Sequence, residues 1–146
     1  MKVIFSEAPP VRIVPDELWD GRTVYVLLGA LDCYIVEKGI ITLTIHIPAG
    51  FKTDFASIPK IFDDVFGFDP RGKYSLPAIV HDFLYSEHGA QSRKRADKIF
   101  LVGMADKQVP KHTRYLMYYT VRAFGHNKFV EYTGDDLQPT STTAKT

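Results

Sequence analysis

The pattern of hydrophobic and polar positions divides the chain into a β-rich first third and a helical remainder. Residues 40–47 alternate between isoleucine or leucine and polar side chains, which is typical of a strand with one covered face. Two further β-rich runs, 22–28 and 33–37, precede that strand. The segments 29–32 and 38–39 between these runs are short enough for hairpin turns. The first third is therefore predicted to be an antiparallel meander.

A helical period replaces the alternation after residue 74. Gly89 marks a turn between two helices, and Ser92 is a suitable N-cap for the second one. A third helix is predicted from Pro110 to Phe124, ended by Gly125. Its predicted packing stripe consists of Thr113, Leu116, Met117, Thr120, Val121 and Phe124.

Another short helix is predicted over residues 60–66, with Ser57 as its cap and Pro59 in its first turn. The predicted fold class is thus α+β, an N-terminal antiparallel β-meander followed by three to four packed helices. Residues 1–133 are expected to form a single domain, a size that allows a real hydrophobic core. Residues 134–146 are polar and are expected to be a flexible C-terminal tail, free or ordered by a partner.

Composition narrows the function classes. The formal net charge is +1, so no broad attraction to nucleic acid is expected, and the basic residues 93–98 are predicted to be a solvated helix face. Cys33 is the single cysteine, which excludes an internal disulfide framework and a multi-cysteine zinc site and predicts a buried free thiol. The sequence contains no secretory signal pattern and no apolar run of the roughly 18 residues that a membrane span needs.

The candidate chemistry lies in the first two helices. His81 lies eight residues before Gly89 and Asp97 eight residues after it, so both should come to the same height in a helix pair folded at that glycine. Each would lie about 12 Å from the turn at 1.5 Å per residue. A carboxylate that meets an imidazole fixes its tautomer and stabilises the imidazolium. The sequence therefore predicts a His81–Asp97 dyad.

Each of these residues also has a structural interpretation. Asp97 could form an ion pair with Arg93, four residues earlier on the same helix face. Asp54 and Ser57 could order a loop and cap a helix, or Asp54 could bind a metal and Ser57 could be a nucleophile activated by His81. A capping hydroxyl is already committed, so a water-activating dyad ranks above a Ser57-His81-Asp97 triad.

Three segments together resemble the phage-associated domain of unknown function 1353 family. They are residues 50–59 (Gly-Phe-Lys-Thr-Asp-Phe-Ala-Ser-Ile-Pro), residues 81–85 (His-Asp-Phe-Leu-Tyr) and the Ala-Asp-x-x-Phe within residues 93–100. Residues 117–125 also resemble that family. The resemblance covers the chain from about Phe51 to Gly125 and implies a phage or prophage origin, without a settled activity.

The same helix pair also resembles that of phospholipase A2, with His-Asp-x-x-Tyr followed by Ala-Asp-x-x-Phe. The resemblance implies that His81 is the base, Asp97 orients it, Tyr85 hydrogen-bonds to Asp97 and Asp82 is a Ca²⁺ ligand. The Tyr-x-Gly-x-Gly calcium loop of that family is replaced by residues 71–74, Arg-Gly-Lys-Tyr. Calcium takes roughly six to eight oxygen ligands, so backbone carbonyls from Gly72 or the carboxylate of Asp54 would have to complete the site.

Two functions follow as expectations. The first is a phage-encoded hydrolase of ester or phospholipid-type bonds that uses the dyad and a divalent cation, with a lipid or ester substrate. The alternative is a non-enzymatic phage accessory or virion structural protein, in which the His/Asp network only holds helices together and the tail contacts other virion proteins. The expected location is the host cytoplasm or the virion.

Overall fold

A computed structural model describes residues 1–55 and 72–130, which form antiparallel strands followed by helices. The α+β prediction is therefore confirmed in its coarse form. The strands in this part of the chain are β1 (Lys2–Phe5), β2 (Val11–Trp19), β3 (Arg22–Leu27), β4 (Leu31–Glu37), β5 (Ile40–Ile47) and β6 (Lys52–Thr53). The helices are α1 (Ser75–Tyr85), α2 (Arg93–Asp106) and α3 (Lys111–Phe124), the last followed by a 3-10 turn, Gly125–Asn127.

The strands belong to two three-stranded sheets rather than to one continuous meander, with orders β1-β4-β5 and β2-β3-β6. The hairpin predicted between β3 and β4 is wrong, because both edges of each strand are paired elsewhere. β3 lies between β2 and β6, and β4 lies between β1 and β5. The β4–β5 hairpin is confirmed, and Lys38 and Gly39 at its turn both have positive φ. Both central residues of a type I′ turn require that conformation.

Helix α1 is the central element of the core, since all but one of its residues are buried. The C-terminal end of helix α2 is hydrogen-bonded to strand β1, because the backbone N–H of Val3 donates to the side chain of Asp106 at 2.7 Å. The side chain of Ser92 accepts from the N–H of Arg95 at 3.1 Å, which confirms the predicted cap. The bounds of α3 are confirmed as well.

The predicted packing stripe of α3 is wrong at two of its six residues, while Thr113 and Thr120 are half-buried. Met117 and Val121 are buried, but Leu116 is 56% exposed and Phe124 is 73% exposed. The described contacts of α3 with other helices or strands are chiefly with α2 and with its own 3-10 turn, and they leave Leu116 and Phe124 uncovered. Periodicity alone cannot show how wide the covered face of a helix is.

Cys33 is buried, as predicted, and burial raises the pKa of its thiol to about 12. The predicted helix at 60–66, Ser57 and the tail at 134–146 lie outside the described residues. None of the helices in the ranges 1–55 and 72–130 is long and apolar enough to cross a membrane.

Candidate functional site

A fully buried carboxylate, that of Asp97, is the centre of the candidate site. One of its oxygens, Oδ1, lies 2.7 Å from Nε2 of His81 and accepts a hydrogen bond from the Tyr85 hydroxyl at 2.5 Å. The other oxygen, Oδ2, accepts from Nη1 of Arg122 at 2.6 Å. The structure thus brings together His81, Asp97 and Tyr85, the three residues to which the sequence assigned the chemistry.

Helix geometry explains this placement. His81 and Tyr85 are four residues apart on α1, so their side chains share one face, and their ring centroids are 4.1 Å apart. The ring of Phe100 on α2 covers His81 at 4.6 Å. Asp97 lies on that same helix, opposite His81 across the pair. Equal spacing from the turn therefore placed the two groups at one height, as predicted.

The hydrogen bonds keep the carboxyl of Asp97 ionised. Burial by itself would raise its pKa, but hydrogen bonds from His81, Tyr85 and Arg122 hold that pKa below its ordinary value. An ionised carboxylate only accepts hydrogen bonds, so Nε2 of His81 carries the shared proton. In the neutral imidazole the nitrogen with a lone pair is then Nδ1. Burial and the bond to Asp97 raise the pKa of Tyr85, which stays a neutral donor.

Two arginines neutralise this buried charge. Arg93 lies 3.7 Å from Oδ2 of Asp97, so the structural ion pair considered above is present, but Arg122 on α3 is closer. Arg93 also donates to the backbone carbonyls of Val121 and Arg122 at 3.0 and 3.1 Å. The network therefore connects α1, α2 and α3. Sequence reasoning missed Arg122, since a contact between residues 25 positions apart has no local signal.

The network borders an open cleft of about 280 Å³, whose wall includes Asp54 and Asp82 together with His81 and Tyr85, which are only 1% and 7% exposed. Asp82 follows His81 on α1, and its Oδ2 accepts a hydrogen bond from the Thr53 hydroxyl at 2.5 Å. That hydroxyl in turn accepts from the N–H of Phe55 at 3.0 Å. Thr53 was also missed, although it lies within the segment at 50–59 that resembles the family.

Two of the predicted metal ligands, Asp54 and Asp82, therefore line one cleft. Within residues 1–55 and 72–130, however, no three side chains of His, Cys, Asp or Glu are grouped as a metal site would require. Two carboxylates are fewer than the oxygen ligands that calcium takes. The described residues alone do not provide a calcium site.

Gly125 lets the chain turn closely over Tyr85. A Cβ atom at this position would lie 2.8 Å from the Tyr85 hydroxyl oxygen and 3.2 Å from its ring. Any larger side chain would therefore displace the tyrosine that donates to Asp97. The predicted helix stop at Gly125 is thus also a close contact within the site.

Comparison with known proteins identifies the family. The model of the family described as Protein of unknown function (DUF1353) matches residues 31–121, more than half of the chain. The chain belongs to this family. The matched residues include His81, Asp82, Asp97 and the segment at 50–59, which carried the first resemblance, but they end one residue before Arg122.

A curated relative in this comparison, Uncharacterized protein y4jT of Sinorhizobium fredii (strain NBRC 101917 / NGR234), is 29% identical over 79 residues. The match covers 54% of the chain but 23% of the relative, so the chain spans about a quarter of that protein. No solved structure matches the chain. Neither the DUF1353 match nor this relative supports the resemblance to phospholipase A2.

The lowered pKa of Asp97 predicts an acid-sensitive fold. A carboxyl with a lower pKa in the folded state stabilises that state above its ordinary pKa of 3.8 and loses this contribution as the pH falls through the folded-state value. Urea unfolding at several pH values from 6 to 3 should therefore show that the advantage of wild type over Asp97→Asn shrinks below about pH 5. A constant difference across that range would contradict the prediction.

Proposed function

We propose that this DUF1353 protein is a hydrolase of ester-type bonds in which His81 is the general base. One observation carries the proposal: the fully buried carboxylate of Asp97 lies 2.7 Å from Nε2 of His81, a histidine in the wall of an open cleft. This arrangement leaves Nδ1 as the basic nitrogen and stabilises the ring when it becomes charged. Tyr85 and Arg122 support it, since they hold Asp97 in place.

In the proposed reaction, a water oxygen bonds to the carbonyl carbon of the ester while Nδ1 of His81 takes a proton from that water. Asp97 stabilises the imidazolium that forms. The bond to the leaving alcohol then breaks, and the imidazolium returns the proton to the departing oxygen. Stabilisation of the oxyanion by backbone amides of a loop belongs to the same proposal.

The direct test is hydrolysis by the purified full chain. Phospholipid esters and 4-nitrophenyl esters are the substrates to assay first, because the helix pair resembles that of phospholipase A2. Release of acid above the rate in buffer supports the proposal if it also depends on His81. A chain that releases acid from none of these esters would contradict it.

One observation favours a second candidate function. Asp97 accepts hydrogen bonds from α1 and α3 while it lies on α2, so its network also joins three helices. In a non-enzymatic phage accessory or virion protein, this network would serve the fold alone. Residues 134–146 would then contact a partner in the particle.

A divalent cation remains part of the hydrolase proposal and is tested by thermal unfolding. If Asp82 binds Ca²⁺, an excess of about 100 times the dissociation constant should add about 2.7 kcal/mol and raise Tm by several degrees relative to chelator. Asp82→Asn should remove that increase, whereas Asp32→Asn, outside the cleft, should keep it. An equal Tm with and without Ca²⁺, Mn²⁺ or Zn²⁺ would contradict a metal at this site.

A further inference from the structure

We propose that the ligand of the cleft carries an anionic group that pairs with Lys128, next to an apolar portion that lies against Phe51 and Trp19. This deepens the hydrolase proposal, on which it rests for the reaction, because it names the class of substrate. Both features come from residues that line the same cleft as His81.

The backbone at Lys128 is positioned beside the cleft by the neighbouring residues. The segment that follows α3 folds over Tyr85, where the ring of Phe129 packs edge-on at 5.2 Å. The N–H of Val130 donates to the backbone carbonyl of Tyr85 at 2.9 Å. Lys128 lies between Gly125, which contacts Tyr85, and these two residues. The backbone that carries this exposed lysine is thus held beside the site by contacts of its neighbours with Tyr85.

Two carboxylates, Asp54 and Asp82, and two lysines line the cleft, and of the lysines it is Lys128 that is available to an anionic group. Lys52, the other lysine at the cleft, is engaged by Glu17 at 2.8 Å. Glu17 also accepts from Nε1 of Trp19 at 3.2 Å, and the hydrogen bond from Lys52 lowers the pKa of its carboxyl. Lys128 lines the cleft without an ion pair to any other residue in the ranges 1–55 and 72–130. An exposed ammonium at the edge of a cleft attracts an anion.

Part of the remaining wall is apolar, formed by Trp19 and Phe51, while Thr53, Asp54, Asp82 and Ser86 are its polar members. Phe51 lines the cleft and packs edge-on against the buried Phe83, with ring centroids 5.3 Å apart, so its position is fixed. Trp19 is 38% exposed, and its bond to Glu17 orients the indole. The cleft, at about 280 Å³, is at the lower end of the range for small-molecule sites. It therefore suits a small acid or one arm of a larger one.

Binding can be measured without catalysis, because Trp19 is the only tryptophan of the chain. Its fluorescence should change when the protein is titrated with the carboxylate 4-phenylbutyrate or with the neutral alcohol 4-phenylbutanol. A third ligand, heptanoate, has the same charge as 4-phenylbutyrate but an aliphatic apolar part instead of an aromatic one. Lys128→Gln should weaken binding of the carboxylates about 3- to 10-fold and leave the alcohol unchanged. The difference between acid and alcohol should also shrink at high salt.

The matched control is Lys111→Gln, an exposed lysine at the start of α3, about 20 Å along the helix from Gly125 at 1.5 Å per residue. It should bind both ligands as wild type does. Equal affinity of Lys128→Gln and Lys111→Gln for the carboxylate, or no carboxylate binding by wild type, would overturn the inference. Lys128-dependent binding in a chain that hydrolyses no ester would support the inference and overturn the hydrolase proposal alone.

Discussion

His81→Gln is expected to lower kcat/KM for ester hydrolysis about 10²- to 10⁴-fold, the range that a general base contributes. The glutamine amide can still donate to Asp97 from a position near that of Nε2, but it has no basic nitrogen. Stability should therefore fall much less than activity does. Initial rates on the best ester substrate, together with urea unfolding of both proteins, measure the two effects separately.

The chain offers a matched control in a second His–Asp pair. Nδ1 of His46 lies 2.6 Å from Asp32, but the His46 side chain is 43% exposed and does not line the cleft. His46→Gln should leave hydrolysis unchanged. If His81→Gln kept wild-type activity, His81 would not be the base, and the structural function would be the better explanation of the network.

Asp97→Ala is expected to lower the free energy of unfolding by about 2–4 kcal/mol. Three donors, on His81, Tyr85 and Arg122, lose their shared acceptor in the core. The cost is below that of a fully buried unpaired charge, because the Arg122 side chain is 31% exposed and water can reach it. Urea unfolding near neutral pH measures this change.

Asp32→Ala is the control for this substitution, since Asp32 forms a half-exposed pair with His46, and such pairs contribute about 1 kcal/mol or less. A double-mutant cycle of Asp97→Ala with Arg122→Gln should give a coupling of about 0.5–3 kcal/mol. A loss below 1 kcal/mol for Asp97→Ala, with no coupling to Arg122, would contradict the network described here.

Substitutions at His81 and at Asp97 separate the two proposed functions. A structural network alone predicts that changes at Asp97 affect stability and that His81→Gln has no catalytic consequence. A catalytic network predicts that Asp97→Asn, which keeps the size of the side chain but cannot hold the charge, loses more activity than its loss of stability explains. Both roles can act together, because a base must be held rigidly to be effective.

The dyad could be predicted from the sequence because it depends on local rules. Two helices folded at a turn bring equally spaced residues together, and a spacing of four places His81 and Tyr85 on one face. These rules need only the distance along the chain. The same rules gave the bounds of α3, the Ser92 cap and the β4–β5 hairpin.

The sequence did not predict which residues far along the chain contact the site residues. Arg122 reaches Asp97 from the third helix, Thr53 reaches Asp82 from a strand, and Gly125 permits the close approach of Tyr85. Each depends on how whole elements pack. Local patterns predicted the helix stop at Gly125 but none of these three contacts.

The sequence by itself determined the α+β class, the three described helices and the His81–Asp97 pair, because hydrophobic period, capping and turn spacing act over a few residues. Only the tertiary structure decided the rest. It divided the strands into two sheets, since β3 and β4 each find both partners elsewhere, and it left Leu116 and Phe124 exposed. It also placed Lys128 and Trp19 beside the dyad. Those outcomes depend on competition between surfaces far apart in the chain, which no local pattern encodes.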